Sequence, residues 1–183
     1  KMDLLNLKLL KKKLKNVDLV YHLAANADVR FGLKHPKKDL KQNAICTFNL
    51  LEAMRHNSVK KIVFTSTAPI YGNVRLFPTP ENPPLSSQTS LYGASKLYCE
   101  GLIQSYCEGY NFQSWIFRFV SILGPRYSHG HVFDFYKQLA INKKSKLKIL
   151  GNGFQRKSFL NVKDCISALM ISTKKAKNKI NIF

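Results

Sequence analysis

An α/β fold organised around a mostly parallel sheet is the architecture this 183-residue chain predicts. Three observations point to it. Short continuous apolar runs recur at "VDLVYHLAA" (17–25), "KKIVFTST" (60–67) and "SWIFRFVSIL" (114–123), as expected of strands buried on both faces. Between them lie segments with apolar residues at helical spacing. The alternation is what right-handed crossovers need to place helices on both faces of one sheet.

Taken in order, 17–25 is the first strand, and 38–57 is a helix that ends at the polar Asn57-Ser58 stop. The second strand is 60–67. Residues 73–90 are rich in proline, asparagine and serine and read as an irregular loop. A helix over 92–110 and a third strand over 114–123 follow. After Gly124-Pro125 come a helix near 131–142, short strands near 146–150 and 159–162, and a helix from Val162 to about Lys174. A last strand begins at the C-terminus. There are no internal repeats and no low-complexity linker. The expected division is a sheet domain over 1–125 and a second region over 126–183 that returns to the sheet.

Composition narrows the function classes. Hydrophobic residues make up 45% and aromatics 11%, which is globular rather than disordered. No window reaches the roughly 18 uncharged apolar residues of a membrane span, so no membrane partner is expected. "KMDLLNLKLLKKKLKNVD" is charged throughout and carries no apolar signal core; a cytoplasmic location is the default expectation. Cys46, Cys99, Cys107 and Cys165 form no CxxC pair and no metal-ligand spacing, so reduced buried thiols and no metal are expected. The formal net charge of +20 raises a nucleic-acid partner. Its lysines are dispersed along every segment, however, and no nucleic-acid reading module is present. A solvated lysine-rich surface is the expectation, and no nucleic acid.

One spacing carries chemistry. In "SLYGASKLYCE" (90–100), Tyr92 and Lys96 are four apart and so share one face of a helix. A phenol is a poor base at neutral pH, but a nearby ammonium favours its anion. A tyrosine so adjusted exchanges a proton with an alcohol while a cofactor takes the hydride. Alone the spacing is weak, since 8 tyrosines among many lysines give about one such pair by chance. Its context strengthens it. "FTSTAPIYG" (64–72) places hydroxyls at the carboxyl end of a predicted parallel strand, where open α/β sheets bind ligands. Thr67 is the best placed of them.

With "HLAA" and "STAPIYG" ending strands and "YGASK" opening a helix, the chain resembles the extended short-chain dehydrogenase/reductases. Within them it is similar to the NAD-dependent epimerase/dehydratase group, closest to UDP-glucose 4-epimerases. "NAICTFNLLEA" (43–53), "RFVSILGPR" (118–126) and "GNGFQRKSFLNVKDCISAL" (151–169) match further motifs in the family's order. The resemblance covers essentially the whole chain and implies a Rossmann-like doubly wound sheet, truncated at both ends.

Carried over by residue, it implies that Tyr92 is the acid/base and that Lys96 lowers its pKa and binds the nicotinamide ribose. Thr67 holds the sugar hydroxyl being oxidised. Leu23, Ala24 and Ala25 line the NAD groove, with Asn43 and Thr65 beside it. Asp3 and Leu4 match the pair that meets the adenine. Phe119, Val120 and Ile122 would sit near the nicotinamide. Ser121 stands where the family usually has an asparagine that touches the nucleotide sugar. Lys157 stands where an arginine usually meets the diphosphate; lysine cannot bind it bidentately, so adjacent Arg156 is the alternative. Cys46 replaces a usual glycine.

The family's phosphate-binding glycine turn, G-x-x-G-x-x-G, is not found here. The simplest reading is a fragment that exposes an apolar sheet edge and binds NAD poorly. The implied reaction is NAD-dependent 4-epimerisation of a nucleotide sugar, a UDP-sugar first, by a homodimer when complete. Dehydration is disfavoured because Ala68 and Pro69 stand where related dehydratases carry acids. The alternatives are a nucleotide-sugar ketone reductase of the same family or an inactive basic binding remnant.

Overall fold

In a computed structural model, the described residues are all but 1, 27, 28, 74, 75, 77, 83–86, 144 and 145, with side chains at 29–31 also outside the description. Much of the 73–90 stretch expected as a loop therefore lies outside the described residues. The chain forms two compact units, residues 1–119 with 169–183, and residues 120–168.

The first unit is built on a four-stranded parallel sheet. Its strands are β1 (Leu19–His22), β2 (Lys61–Thr67), β3 (Gln113–Phe119) and β6 (Ile180–Ile182), in the spatial order β1-β2-β3-β6. Register fixes which residues share a face. His22, Phe64, Ile116 and Ile182 lie in one row, and Tyr21, Val63, Trp115 and Asn181 in the row pointing the other way. On the first face, Ile62, Phe64 and Ile116 enter a core with Leu10 and Leu14 from the N-terminal segment, Leu50, Leu51 and Met54 from the second layer, and Cys99, Ile103 and Cys107 from the long helix. These come from α1 (Leu7–Lys13), α4 (Cys46–His56) and α5 (Leu91–Tyr110). On the opposite face, the later turns of α7 (Val162–Lys175) meet Tyr21, whose hydroxyl lies 3.7 Å from the Met170 sulfur. Just beyond that helix, the Trp115 indole donates to the Ala176 carbonyl at 3.1 Å. Helices thus cover both faces, as the crossover rule requires.

α1 is an addition to the sequence reading. Leu10 and Leu14 are one turn apart and buried, while the lysines around them face water. Asn6 caps the helix by accepting from the Leu9 N–H, and Lys11–Lys13 sit favourably at its negative end. The Asn57 amide donates to the carbonyls of Lys11 and Ala53, tying α1 to the end of α4.

The helix expected over 38–57 is three pieces: α3 (Pro36–Asp39), a wider π-helical turn over Leu40–Ile45, and α4. A short helix α2 (Val29–Lys34), not foreseen, precedes them. β1 is shorter than the apolar run that suggested it and lies at the sheet edge, so Tyr21 is left 39% exposed rather than buried.

The second unit holds a two-stranded parallel sheet of β4 (Ser121–Leu123) and β5 (Phe159–Asn161), with α6 (His131–Tyr136) running into a π-helical turn over Lys137–Ile141. Two expectations are corrected here. The run 114–123 is not one strand, because it breaks at Val120 and its last three residues pair in the other sheet. The stretch 146–150 is not a strand: Leu150 is 77% exposed, and among the described residues no neighbouring strand pairs with it.

Candidate active site

The carboxyl ends of β1, β2 and β3 come side by side in the first unit, and the N-terminus of α5 meets them. Ser90 caps α5 by accepting from the Gly93 N–H at 3.0 Å. The chain after β2 turns through a 3₁₀ helix, Ala68–Tyr71, that packs on α5. That approach depends on Gly93, where a Cβ would lie 2.9 Å from the Pro69 carbonyl oxygen and 3.0 Å from the Ser90 hydroxyl. The missing side chain lets the strand tip reach the first turn of the helix.

There the Tyr92 phenol meets the Thr67 hydroxyl, whose interaction with it favours the phenolate. One turn on, Lys96 is 2% exposed; its ammonium donates to the Thr65 carbonyl at 2.8 Å and lies 4.5 Å from the centre of the Phe64 ring. Tyr92, Lys96 and Glu100 form one buried stripe at four-residue intervals. The pair expected from spacing therefore shares a face and meets the threonine.

Its electrostatics differ from the expectation that Lys96 brings the phenol down. Burial pushes the Tyr92 phenol up; the Thr67 hydroxyl works against this, and the buried Asp39 carboxylate adds to it. The ammonium is itself disfavoured: burial lowers the Lys96 pKa to about 8, with Cys99 and Glu100 opposing the drop. In the protein alone, desolvation outweighs the charge.

Below Lys96, His22 is 3% exposed and its Nε2 lies 2.9 Å from the Thr47 hydroxyl, which also accepts from the Cys99 thiol at 3.4 Å. Burial, with the Lys96 charge, pulls the imidazole down to about 3, so it is neutral. All four cysteines are free and buried, and burial pushes each thiol up, Cys46 to about 11.

Leu23, Ala24 and Ala25 continue from β1 as an exposed apolar shelf, Leu23 at 55%. An uncovered apolar shelf ending beside a buried ammonium and phenol fits the ring and ribose of a dinucleotide. Asn43, 1% exposed in the wide turn, accepts from the Asn26 N–H at 2.8 Å and donates to Ser95 at 2.9 Å. Thr65 gives its carbonyl to Lys96 and sends its hydroxyl toward the His22 carbonyl at 3.4 Å. Asp3 folds back on its own turn, accepting from the Leu5 N–H at 2.9 Å, while the carbonyls of Leu4 and Leu5 accept from Asn49. Phe119 ends β3, its ring 5.5 Å from that of Phe117. Val120, Ser121 and Ile122 belong to the second unit, the last two in β4 opposite Phe159 and Leu160. Arg156 and Lys157 are exposed in the same unit, just ahead of β5.

Several polar residues of the site were missed in the sequence. Asn26 directly follows "HLAA"; Asp39 is the one acid in the basic run "HPKKDLK". Arg118 pairs with the 1%-exposed Glu100 at 2.8 Å and also donates to the Tyr71 hydroxyl at 3.4 Å and the Glu81 carbonyl at 2.5 Å. That ion pair locks β3, α5 and the turn after Thr67 together.

The family model described as the NAD dependent epimerase/dehydratase family matches residues 1–182. The chain belongs to that family, whose cofactor is NAD. It is 31% identical over 172 residues to a putative UDP-glucose 4-epimerase of Methanocaldococcus jannaschii, covering 92% of this chain and 56% of that protein. It is 32% identical over 164 residues to UDP-glucose 4-epimerase of Dictyostelium discoideum, covering 82% and 47%. A structure of UDP-glucose 4-epimerase with UDP-glucose from Thermotoga maritima superposes with a TM-score of 0.88 at 27% identity, over 100% of this chain and 60% of that one. The parallel sheet with helices on both faces is thus Rossmann-like. The chain spans about half the length of the curated relatives it matches. Among the described residues, no helix is long and apolar enough to cross a membrane.

Proposed function

We propose that the protein of which this chain forms a part is an NAD-dependent nucleotide-sugar 4-epimerase acting on a UDP-sugar. The observation that carries the reading is the meeting of the Tyr92 phenol with Thr67, with the buried Lys96 one turn away, at the carboxyl ends of parallel strands.

In this reading Thr67 holds the sugar hydroxyl against Tyr92, whose phenolate takes the hydroxyl proton to become the phenol and later returns it. Lys96 binds the nicotinamide ribose, and Leu23, Ala24, Ala25, Asn43 and Thr65 shape the groove. NAD, when bound, supplies the hydride acceptor and a positive charge that favours the phenolate. Tyr92 in the isolated fold is held protonated by its burial, so the site is set to ionise once loaded. Asp3 and Leu4 are assigned to the adenine and Phe119, Val120 and Ile122 to the nicotinamide. Ser121, Arg156 and Lys157 are assigned to the nucleotide sugar, and the assembly to a cytoplasmic homodimer.

Epimerisation is favoured over dehydration by the residues after Thr67. A dTDP-D-glucose 4,6-dehydratase of Dictyostelium discoideum is also a relative, at 30% identity. Elimination needs a further acid/base beside the sugar, and Ala68 and Pro69 move no proton. The test is interconversion of UDP-glucose and UDP-galactose by the full-length protein, with Tyr92→Phe beside it. Loss of turnover with NAD still bound is expected. A Tyr92→Phe protein that epimerises at the wild-type rate refutes the assignment, and a 4-keto-6-deoxy product refutes the reaction.

A further inference from the structure

Asp39 is the most unusual buried charge in the fold. It is 1% exposed, at the end of α3, in a segment otherwise lined with lysine. One carboxylate oxygen, Oδ1, accepts from the Asn26 side-chain amide at 2.7 Å. The other, Oδ2, is buried with no hydrogen-bond partner among the described residues. Leaving a buried oxygen without a partner is costly, so it persists only where the surroundings hold it. They do so closely: a methyl group on Gly32 would collide with Oδ2, and the Leu91 Cβ lies just beyond it at the first residue of α5.

From Asp39 a hydrogen-bond chain runs into the site. Asn26 receives its side-chain orientation from Oδ1, and its N–H donates to Asn43. Asn43 donates to Ser95, and the Ser95 hydroxyl donates to the Tyr92 carbonyl at 2.8 Å. Three separate elements, the end of the apolar shelf, the wide turn and the first turn of α5, are joined by four bonds that begin at one carboxylate. We propose that Asp39 is a positioning residue of the active site, fixing Asn26 and through it the Asn26–Asn43–Ser95 chain that sets the shelf against the Tyr92 helix. Among the described residues, the charge that acts on the phenol is Asp39 from α3; Lys96 lies one turn on along its own helix, with neutral His22 on β1 and the Thr67 hydroxyl from β2. The Asp39 charge also opposes phenolate formation.

This inference rests on the proposed NAD-dependent function, and its test separates the two. In the full-length protein, Asp39→Ala removes the acceptor for Asn26 and is expected to weaken NAD binding about tenfold, the size of one buried charge-assisted bond. A folded Asp39→Ala protein that binds NAD within about twofold of wild type overturns the proposal. Should that variant fail to fold, Asn26→Ala puts the same question from the other side of the bond, and unchanged NAD affinity overturns the proposal equally. Asp39→Asn keeps an acceptor and removes only the charge. It is expected to leave NAD affinity near wild type and to move the phenol-governed limb of the turnover profile to lower pH. A limb that stays in place refutes the electrostatic part. If Tyr92→Phe keeps full turnover while Asp39→Ala loses NAD, the functional reading fails and the positioning role stands.

Discussion

Replacing Lys96 by methionine is expected to make the fold more stable while destroying its activity. The ammonium is 2% exposed, and burial lowers its pKa from 10.5 to about 8, which corresponds to about 3 kcal/mol spent on holding the charge inside at neutral pH. Methionine fills a similar volume without charge but gives up the 2.8 Å bond to the Thr65 carbonyl, worth about 1 kcal/mol. The net expectation is a gain of about 2 kcal/mol at pH 7, read by urea unfolding of the cofactor-free full-length protein. The pH dependence supplies the control. Between pH 8 and 10.5 the unfolded chain keeps a proton that the folded chain has lost, so wild-type stability should rise with pH through that window. The Lys96→Met protein should lack that rise. A variant no more stable than wild type at pH 7 would show that the lysine is not desolvated as its burial implies.

Three further outcomes are expected. Gly93→Ala forces a methyl group against the Pro69 carbonyl and Ser90 hydroxyl; unfolding should show a cost of roughly 1–3 kcal/mol, and turnover should fall more than NAD affinity as Thr67 moves from Tyr92. Arg118→Leu leaves Glu100 buried without its cation. About 3–5 kcal/mol should be lost in a denaturant titration and largely recovered on adding Glu100→Gln; simple additivity of the two changes contradicts the pairing. For His22, the folded pKa is depressed from 6.5 to about 3, so below 6.5 the unfolded chain takes up a proton that the folded chain refuses. Stability should fall as pH drops from 6.5 toward 3, by up to about 4 kcal/mol, and His22→Leu should flatten that slope.

The strands of the main sheet and the helix bearing Tyr92 were legible because their signals are local: continuous apolar runs for β2 and β3, and a long periodic segment for the helix. α1 was not, since lysine composition masked a narrow leucine stripe at Leu10 and Leu14. The break at Val120 lies inside one apolar run, and only the pairing of Ser121–Leu123 with Phe159–Asn161 reveals it. The proximity of Tyr92, Lys96 and Thr67 could be read from motif order. The sign of the phenol's shift could not, because it depends on how much water the fold removes and on Asp39, a residue brought in from more than fifty positions upstream. Spacing along one helix carries no information about either.

The wide turn over Leu40–Ile45 has a consequence for how this segment tolerates change. α-Helical residues advance by about 100° each, and a π turn resets that phase for everything after it. Asn43 and Thr47 look into the polar end of the fold while Leu50, Leu51 and Met54 are seated in its apolar layer. Excising a single residue from this stretch would close the wide turn to ordinary pitch and displace Asn43 from its place, while α4 beyond it, Thr47 and the leucines together, would keep its own phase. Length here should therefore be held as strictly as residue identity, even at exposed Leu40 and Ile45, where almost any side chain would fit.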